Sequence, residues 1–496
     1  MKSENIEKTE IENHGSAAFI PKYAGRDIQA GVITATMAIP LSVGIAMMSD
    51  YPIQVGLATV AFASFIAFIF ALFRPGNYIG APGIAAGLAP ILAMGVATFG
   101  MENMAFIIFM TASFQTLIWK LDWQRYLLKA VPSYLVEGLL AGIGLKIALK
   151  FLPFLWMLPA GVAVGADFWD NGRITIVALS AIGTLLFLLL FKKYKDTKPA
   201  LPYFALILFG IIASLFFDLK MLHVEDVTFT LALPIPEFDS LYMWVYAIFF
   251  ALMLAIVDVI EQVMSNAAIE KIDPLGRASN SNNSLLSIWV SNMGASFFGG
   301  MTNLDGLAKS STNRLAGAYT KLSVLVIGIL ITFFVFNSHH LHYLPYFALA
   351  IIMTFVGIKM FLGLLHIATF GPYAVLLATV CAGLVFKVGI FEGLIITLVI
   401  HGLINYVIFS KIESMPTVKT FVGAMCTKVP RGNHASNCSS FKFVLSILKG
   451  FALPSSDKSF FSRFSLAIKE IMLSSIASAF DCETSCVFIA KWTNFP

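Results

Sequence analysis

From about residue 27 to residue 410 the chain alternates long apolar runs with short polar breaks. A bilayer core takes about 20 apolar residues per helix. On that ruler, spans are predicted near 29–48, 54–73, 83–99, 103–120, 132–152, 173–191, 200–216, 241–266, 284–298, 305–317, 320–336, 344–365, 369–386 and 389–409. The third and tenth are short. Residues 1–26 are polar and charged, with no apolar signal-peptide core, and read as a cytoplasmic N-terminal segment. After residue 411 the pattern changes. Phe460, Phe464, Ile468, Ile471 and Phe480 fall roughly on one helical face, against Lys458, Arg463 and Lys469 on the other. That pattern predicts an interfacial helix in a cytoplasmic tail, 411–496, rather than a further span.

One stretch breaks the apolar pattern where a membrane helix should be greasy. In FFGGMTNLDGLAKSSTNRLAG (297–317) an apolar segment meets Gly299-Gly300 and restarts with Asp305, Lys309, Ser310, Ser311, Thr312, Asn313 and Arg314. Each unpaired backbone group in hydrocarbon costs several kcal/mol, so such a break must be walled by protein or line a cavity. It predicts a half-helix whose N-terminus faces a ligand. A matching break lies at Gly80-Ala81-Pro82-Gly83, ahead of the short third span and roughly 220 residues before the tenth. The first span, with Pro40 at its middle, precedes the eighth by roughly 210. Seven helices followed by seven more place the second half in inverted topology. The predicted fold is therefore an all-α polytopic membrane protein of about fourteen transmembrane helices, built as a 7+7 inverted repeat.

Composition agrees with the pattern. Of 496 residues, 58% are hydrophobic and 12% charged, against roughly 25% charged in soluble domains. The net charge of +5 reflects Lys and Arg in cytoplasmic loops rather than a nucleic-acid surface. Lys120, Arg125 and Lys129, then Lys192, Lys193, Lys195 and Lys198, then Lys271 and Arg277, then Arg314 and Lys321 fall on one side if both termini are inside. Asp167, Asp170, Glu225, Asp226 and the cluster His339-His340-Leu341-His342 fall on the other. Five cysteines, four of them in the tail, make no disulfide framework. Cys482 and Cys486, with Cys438, lack zinc spacing, and the histidine cluster sits in a short external loop, so no metal is expected. No GxxxxGK[ST] loop is present, which argues against an ATP-driven pump. No catalytic constellation and no cofactor motif is found.

The candidate chemistry gathers at the two breaks. Free N–H groups and about half a positive charge make each half-helix N-terminus a ready anion site. Gly83, Ile84, Ala85 and Ala86 on one side, with Gly306, Leu307, Ala308 and Lys309 on the other, are the candidate anion-binding residues. Gly83, Ala85, Ala86, Gly306 and Ala308 are small enough for a ligand to reach the backbone; the bland alternative is ordinary close packing between helices. Lys309 either lines an aqueous cavity or snorkels to the interface. Glu261, in the eighth span with Asp258 one turn earlier, must be paired, hydrated or protonated at membrane depth. It is a candidate for cation coupling; the alternative is a structural hydrogen bond between helices. Asp305 at the start of the tenth half-helix would cap its N–H groups and oppose the dipole that attracts an anion. Lys309, four residues on, could offset it, or Asp305 and Glu261 could approach each other and share a sodium ion or a proton.

These residues resemble the SulP family of anion transporters and exchangers. The likeness runs through GRDIQAGVITATMAIPLSVGIA (25–46), GAPGIAAGLAPIL (80–92), VPSYLVEGLLAGIGLKIALKFLPF (131–154), IEQVMSNAAIEKIDPLGRASNSNNSLL (260–286) and SNMGASFFGG (291–300). The resemblance implies a core of spans one to four and eight to eleven, and a gate of five to seven and twelve to fourteen. It implies an anion held between the third and tenth helices and exposed alternately as the core slides. Lys309 stands where the family commonly has arginine, which keeps the charge and loses the bidentate fork. Glu261 falls at the family's acidic position. Asp305 replaces a small residue, and Ile84 replaces a proline. The 86 residues of the tail are short for the family's STAS domain, which is expected to be absent or degenerate.

The function expected is secondary active transport of a small inorganic anion such as sulfate or bicarbonate, coupled to sodium or protons. The expected setting is a homodimer in the inner (plasma) membrane with both termini cytoplasmic and no nucleic-acid partner. A nucleobase permease of the same fold and a passive anion channel or exchanger are the alternatives.

Overall fold

The computed structural model describes residues 18–404, apart from 125, 127–131, 159–170, 225, 226, 228, 230, 239 and 371. The tail from 411, the first 17 residues and the loop residues Arg125, Lys129, Asp167, Asp170, Glu225 and Asp226 lie outside the described residues.

Fourteen α-helices are present among the described residues. The first half holds α1 (Ala24–Met48), α2 (Ile53–Phe73), α3 (Ala89–Phe99), α4 (Met101–Lys120), α5 (Ser133–Phe151), α6 (Asn171–Tyr194) and α7 (Leu201–Ser214). The second holds α8 (Leu241–Lys271), α9 (Ser281–Ser296), α10 (Leu307–Leu315), α11 (Leu322–Phe336), α12 (Tyr346–Phe361), α13 (Pro372–Lys387) and α14 (Ile390–Ile404). Seven helical stretches are long and apolar enough to cross a membrane, and five more are apolar but shorter. The remaining two are polar: α9 leads into the break, and α10 carries Lys309, Ser310, Ser311, Thr312, Asn313 and Arg314. The histidine cluster forms a short 3₁₀ turn, Ser338–Tyr343.

Packing divides the helices as the resemblance implies. In the core, α11 packs on α1 and α2, and α4 packs on α8 and α9. In the gate, α5 packs on α12 and α13, α6 on α7, and α13 on α14. These contacts repeat when the halves are exchanged: α2 on α11 becomes α9 on α4, and α6 on α7 becomes α13 on α14. That exchange is the signature of the inverted repeat. Small residues set the gate's close approach. A Cβ added at Gly144 would lie 2.5 Å from the Gly357 carbonyl oxygen, and one added at Gly357 would lie 2.5 Å from that of Gly144. The two backbones touch, as small residues allow between membrane helices.

The two broken segments differ from the prediction in a way that matters. The third span begins at Ala89 rather than near residue 83, and the tenth at Leu307 rather than 305. Ahead of each helix lies a three-residue strand, β1 (Pro82–Ile84) and β2 (Asn303–Asp305), paired antiparallel as Pro82↔Asp305, Gly83↔Leu304 and Ile84↔Asn303. Three residues are too few for strand alternation to show in a sequence, so each strand reads as the start of its helix. Gly299 at φ +73° and Gly317 at φ +107° bracket the second segment, in the left-handed region that glycine enters without steric cost.

Buried polar side chains satisfy the irregular backbone where water cannot. Thr59 Oγ1 accepts from the Met301 amide (3.0 Å), Asn292 Oδ1 from Asn303 (2.9 Å) and Gln262 Oε1 from Asp305 (2.8 Å). Asn77 Oδ1 accepts from Gly80 (2.9 Å), and Ser310 Oγ from Ala81 (3.0 Å). The polar residues inside these apolar spans therefore follow from the broken backbone they serve.

Candidate anion-binding site

The ribbon of β1 and β2 sorts the charged residues onto two faces. Cross-strand partners point to the same side of a ribbon, and successive pairs point to opposite sides. A Cβ added at Gly83 would lie 1.8 Å from Lys309 Nζ, so Lys309 covers the face of the Gly83↔Leu304 pair. The neighbouring pair, Pro82↔Asp305, turns the other way.

On the front face, Lys309 is 3% exposed. Its ammonium makes one long hydrogen bond, to Ser42 Oγ on α1 at 3.4 Å, and among the described residues it has no carboxylate within ion-pair distance. It neither snorkels nor pairs; a buried cation left this way suits an anion. The first hydrogen bond of α10 is donated by the Ser310 amide to the Gly306 carbonyl (2.9 Å). The amides of Leu307, Ala308 and Lys309 precede it as the unsatisfied donors of a helix start. A Cβ at Gly306 would meet nothing within 4 Å, and Leu307 and Ala308 are exposed, so this end opens onto free space. On the opposing side, Gly83, Ile84 and Ala85 are buried, and Ala86 is half-buried. These four lie in the strand and in the turn that follows it, instead of the first turn of α3.

Glu261 sits beside this front. A Cβ at Gly87 would lie 2.8 Å from Glu261 Oε2 and 2.8 Å from Leu140 Cδ2 on α5. The carboxylate thus rests where core meets gate, next to the turn that carries Ala85 and Ala86. Its Oε2 atom is buried and has no hydrogen-bond partner among the described residues.

Asp305 goes elsewhere. Gly306, not Asp305, is the N-cap of α10, and no side chain caps that end. The pairing expected with Lys309 is not made, because residue 305 lies in a strand and its side chain leaves on the opposite face. Nor does it meet Glu261. Asp305 Oδ2 accepts from Asn77 Nδ2 (2.5 Å) and Gln262 Nε2 (3.4 Å), and Oδ1 lies 3.9 Å from Lys321 Nζ. Lys321, expected in a cytoplasmic loop, is 4% exposed and donates to the Gly80 carbonyl at 2.5 Å.

A second polar cluster was not anticipated. Asp258, fully buried, accepts at Oδ2 from Gln115 Nε2 (2.6 Å) on α4 and Asn292 Nδ2 (3.3 Å) on α9. Asn292 also holds Asn303 of β2 by its amide and its side chain. The signal was in the sequence: Asp258, Gln262 and Asn266 recur every four residues along α8, a polar stripe on one face of an apolar helix, and all three are 0% exposed. No group of three metal-ligating side chains occurs among the described residues, and His342 Nδ1 lies 2.9 Å from the Leu222 carbonyl oxygen.

Comparison with known proteins agrees with this architecture. Two proteins of Bacillus subtilis strain 168, both named for an inferred role as sulfate transporters, are similar. YvdB is 27% identical over 337 residues, 63% of this chain and 61% of that protein. YbaR is 26% identical over 345 residues, 68% of this chain and 66% of that protein. The chain spans just under two thirds of the length of these relatives. Among solved structures, the transmembrane domain of a cyanobacterium bicarbonate transporter, BicA, superposes with TM-score 0.62 at 18% identity, covering 77% of this chain and 98% of that one. The murine Slc26a9 anion transporter in its inward-facing state gives TM-score 0.64 at 16% identity, covering 79% and 69%. At such identities the likeness shows the fold. The model of the Sulfate permease family matches residues 25–381, well over half of the chain and every element of the site, and the protein therefore belongs to the sulfate permease family.

Proposed function

We propose that this protein is a secondary transporter of a small inorganic oxyanion, sulfate or bicarbonate, working by alternating access. The anion would sit on the front of the ribbon, between Gly83, Ile84, Ala85 and Ala86 and the residues Gly306, Leu307, Ala308 and Lys309. The observation that carries this reading is the Lys309 ammonium, buried against Gly83 with no carboxylate partner among the described residues. Backbone donors at the start of α10 and the Lys309 ammonium then converge on one open spot, which suits an oxyanion and offers a neutral nucleobase little to read. The names of the Bacillus relatives and of BicA agree with sulfate and bicarbonate as the class.

Glu261, placed between core and gate, is the group we assign to coupling. It would take up a sodium ion or a proton as the core slides. Asp305 is already engaged on the back of the ribbon and is not needed for this step. The setting is the inner (plasma) membrane, as a homodimer, with both termini on the cytoplasmic side. The transporter domain would run over 27–410, flanked by the cytoplasmic segments 1–26 and 411–496.

The test is uptake into liposomes by the purified full-length protein, using labelled sulfate and bicarbonate with and without sodium and proton gradients. Saturable uptake of one of them, competed by other oxyanions and raised by a gradient, is expected. Uptake of uracil or xanthine instead, or a reversal potential that follows the anion alone, would overturn it.

A further inference from the structure

The back of the ribbon holds a charge system that the transport step does not use. Asp305 and Lys321 are both buried, with side chains 7% and 5% exposed, and their charged atoms are 3.9 Å apart. Asn77 and Gln262 hold one carboxylate oxygen, and the Gly80 carbonyl takes a hydrogen bond from the Lys321 ammonium. The cluster ties the chain ahead of β1 to β2, α8 and the start of α11. Asp305 is one register step from the pair that Lys309 covers. Left alone there, its negative charge would act across a thin, water-poor ribbon on whatever Lys309 binds. The stem of Lys321 reaches that carboxylate from a position sixteen residues along the chain, whereas Lys309 is only four away.

We infer that Lys321 is a positioning residue for the anion site: it holds the charge of Asp305 in a buried pair behind the ribbon and so leaves Lys309 the uncompensated cation in front. The inference rests on the reading of Lys309 as an anion ligand. It explains how this chain keeps a carboxylate beside an anion site. Asp305 and Lys321 work as a unit, in which loss of one member matters more than loss of both.

Equilibrium binding of radiolabelled sulfate to the purified full-length protein tests this as a cycle. Lys321→Met should weaken binding by at least about tenfold, and Asp305→Asn should tighten it about threefold or more. The double variant should return to within about threefold of wild type, as should Lys321→Arg. A purely structural pair would lower thermal stability in all three neutralising variants without these opposite signs in affinity. Asp305→Asn that fails to tighten binding, or a double variant no closer to wild type than Lys321→Met, overturns the inference. Should Lys321→Met fail to fold, the double variant, with neither charge left unpaired, decides: wild-type affinity supports the inference and a tenfold loss overturns it. Lys309→Met is the control. A loss of binding there with a flat cycle overturns this inference alone; unchanged binding there overturns the anion reading and this inference with it.

Discussion

Gly83→Ala perturbs the proposed site with a single methyl group. The added Cβ would lie 1.8 Å from Lys309 Nζ, 2.9 Å from Cε and 3.3 Å from Cδ. All three atoms belong to the far end of a flexible side chain, so the ammonium must move while the ribbon stays. Gly83 does not have a positive φ, so alanine suits its backbone. Non-bonded contact needs roughly 3.5 Å, which drives Nζ back by about 2 Å. At an effective dielectric of about 20, unit charges interact by roughly 5.5 kcal/mol at 3 Å and roughly 3.3 kcal/mol at 5 Å. The retreat therefore costs about 2 kcal/mol, or about 30-fold in Kd for a bound anion. Labelled-sulfate binding to the purified variant should show this loss, with thermal unfolding within about 1 kcal/mol of wild type. In a Lys309→Ala background the methyl meets no ammonium, and Gly83→Ala should change Kd by less than about twofold. Equal Kd for wild type and Gly83→Ala would show that the Lys309 ammonium does not hold the anion from beside Gly83, as would the same 30-fold loss in the Lys309→Ala background.

Other perturbations separate coupling from architecture. Glu261→Gln keeps shape but loses the negative charge that titrates and attracts a cation; sulfate Kd should stay within about threefold while a sodium or proton gradient no longer stimulates uptake, and equal loss of both would mark a structural role. Gly144→Ala places a methyl 2.5 Å from the Gly357 backbone oxygen, and such overpacking should lower stability by about 1–3 kcal/mol, read as a fall in Tm; an unchanged Tm would mean that the gate helices can separate freely. Asn292→Leu removes the donor to Gln115 Oε1 and Asp258 Oδ2 and the acceptor of the Asn303 amide and Nδ2; it leaves Gln115 Oε1 and the Asn303 amide without a partner and should cost about 3 kcal/mol. A variant as stable as wild type would show that this network does not hold the ribbon.

Much of this architecture was legible in the chain because membrane physics leaves few options. Apolar runs of span length became helices, and the Gly299-Gly300 break became the turn into β2. Lys309 stood out as a lone cation at membrane depth. The ribbon was not legible, because three residues carry no periodicity. Without it Asp305 appeared to sit on the helix with Lys309, when strand pairing turns it to the other face. Lys321 was misread for a related reason: a lysine just ahead of an apolar run resembles a loop cation, and its carboxylate partner comes close only through the fold. Asp258, Gln262 and Asn266 were readable as a stripe, yet the broken backbone they serve had first to be located.

The proposed oxyanion site is the front of the ribbon, against Lys309. Anomalous diffraction from crystals grown with selenate locates such an anion directly. A selenium peak is expected between residues 83–86 and 306–309, with an oxygen within about 3 Å of Lys309 Nζ, and it should be lost in Lys309→Met. A peak elsewhere, for instance among the histidines of 339–342, or one at the ribbon that survives removal of Lys309, would contradict it.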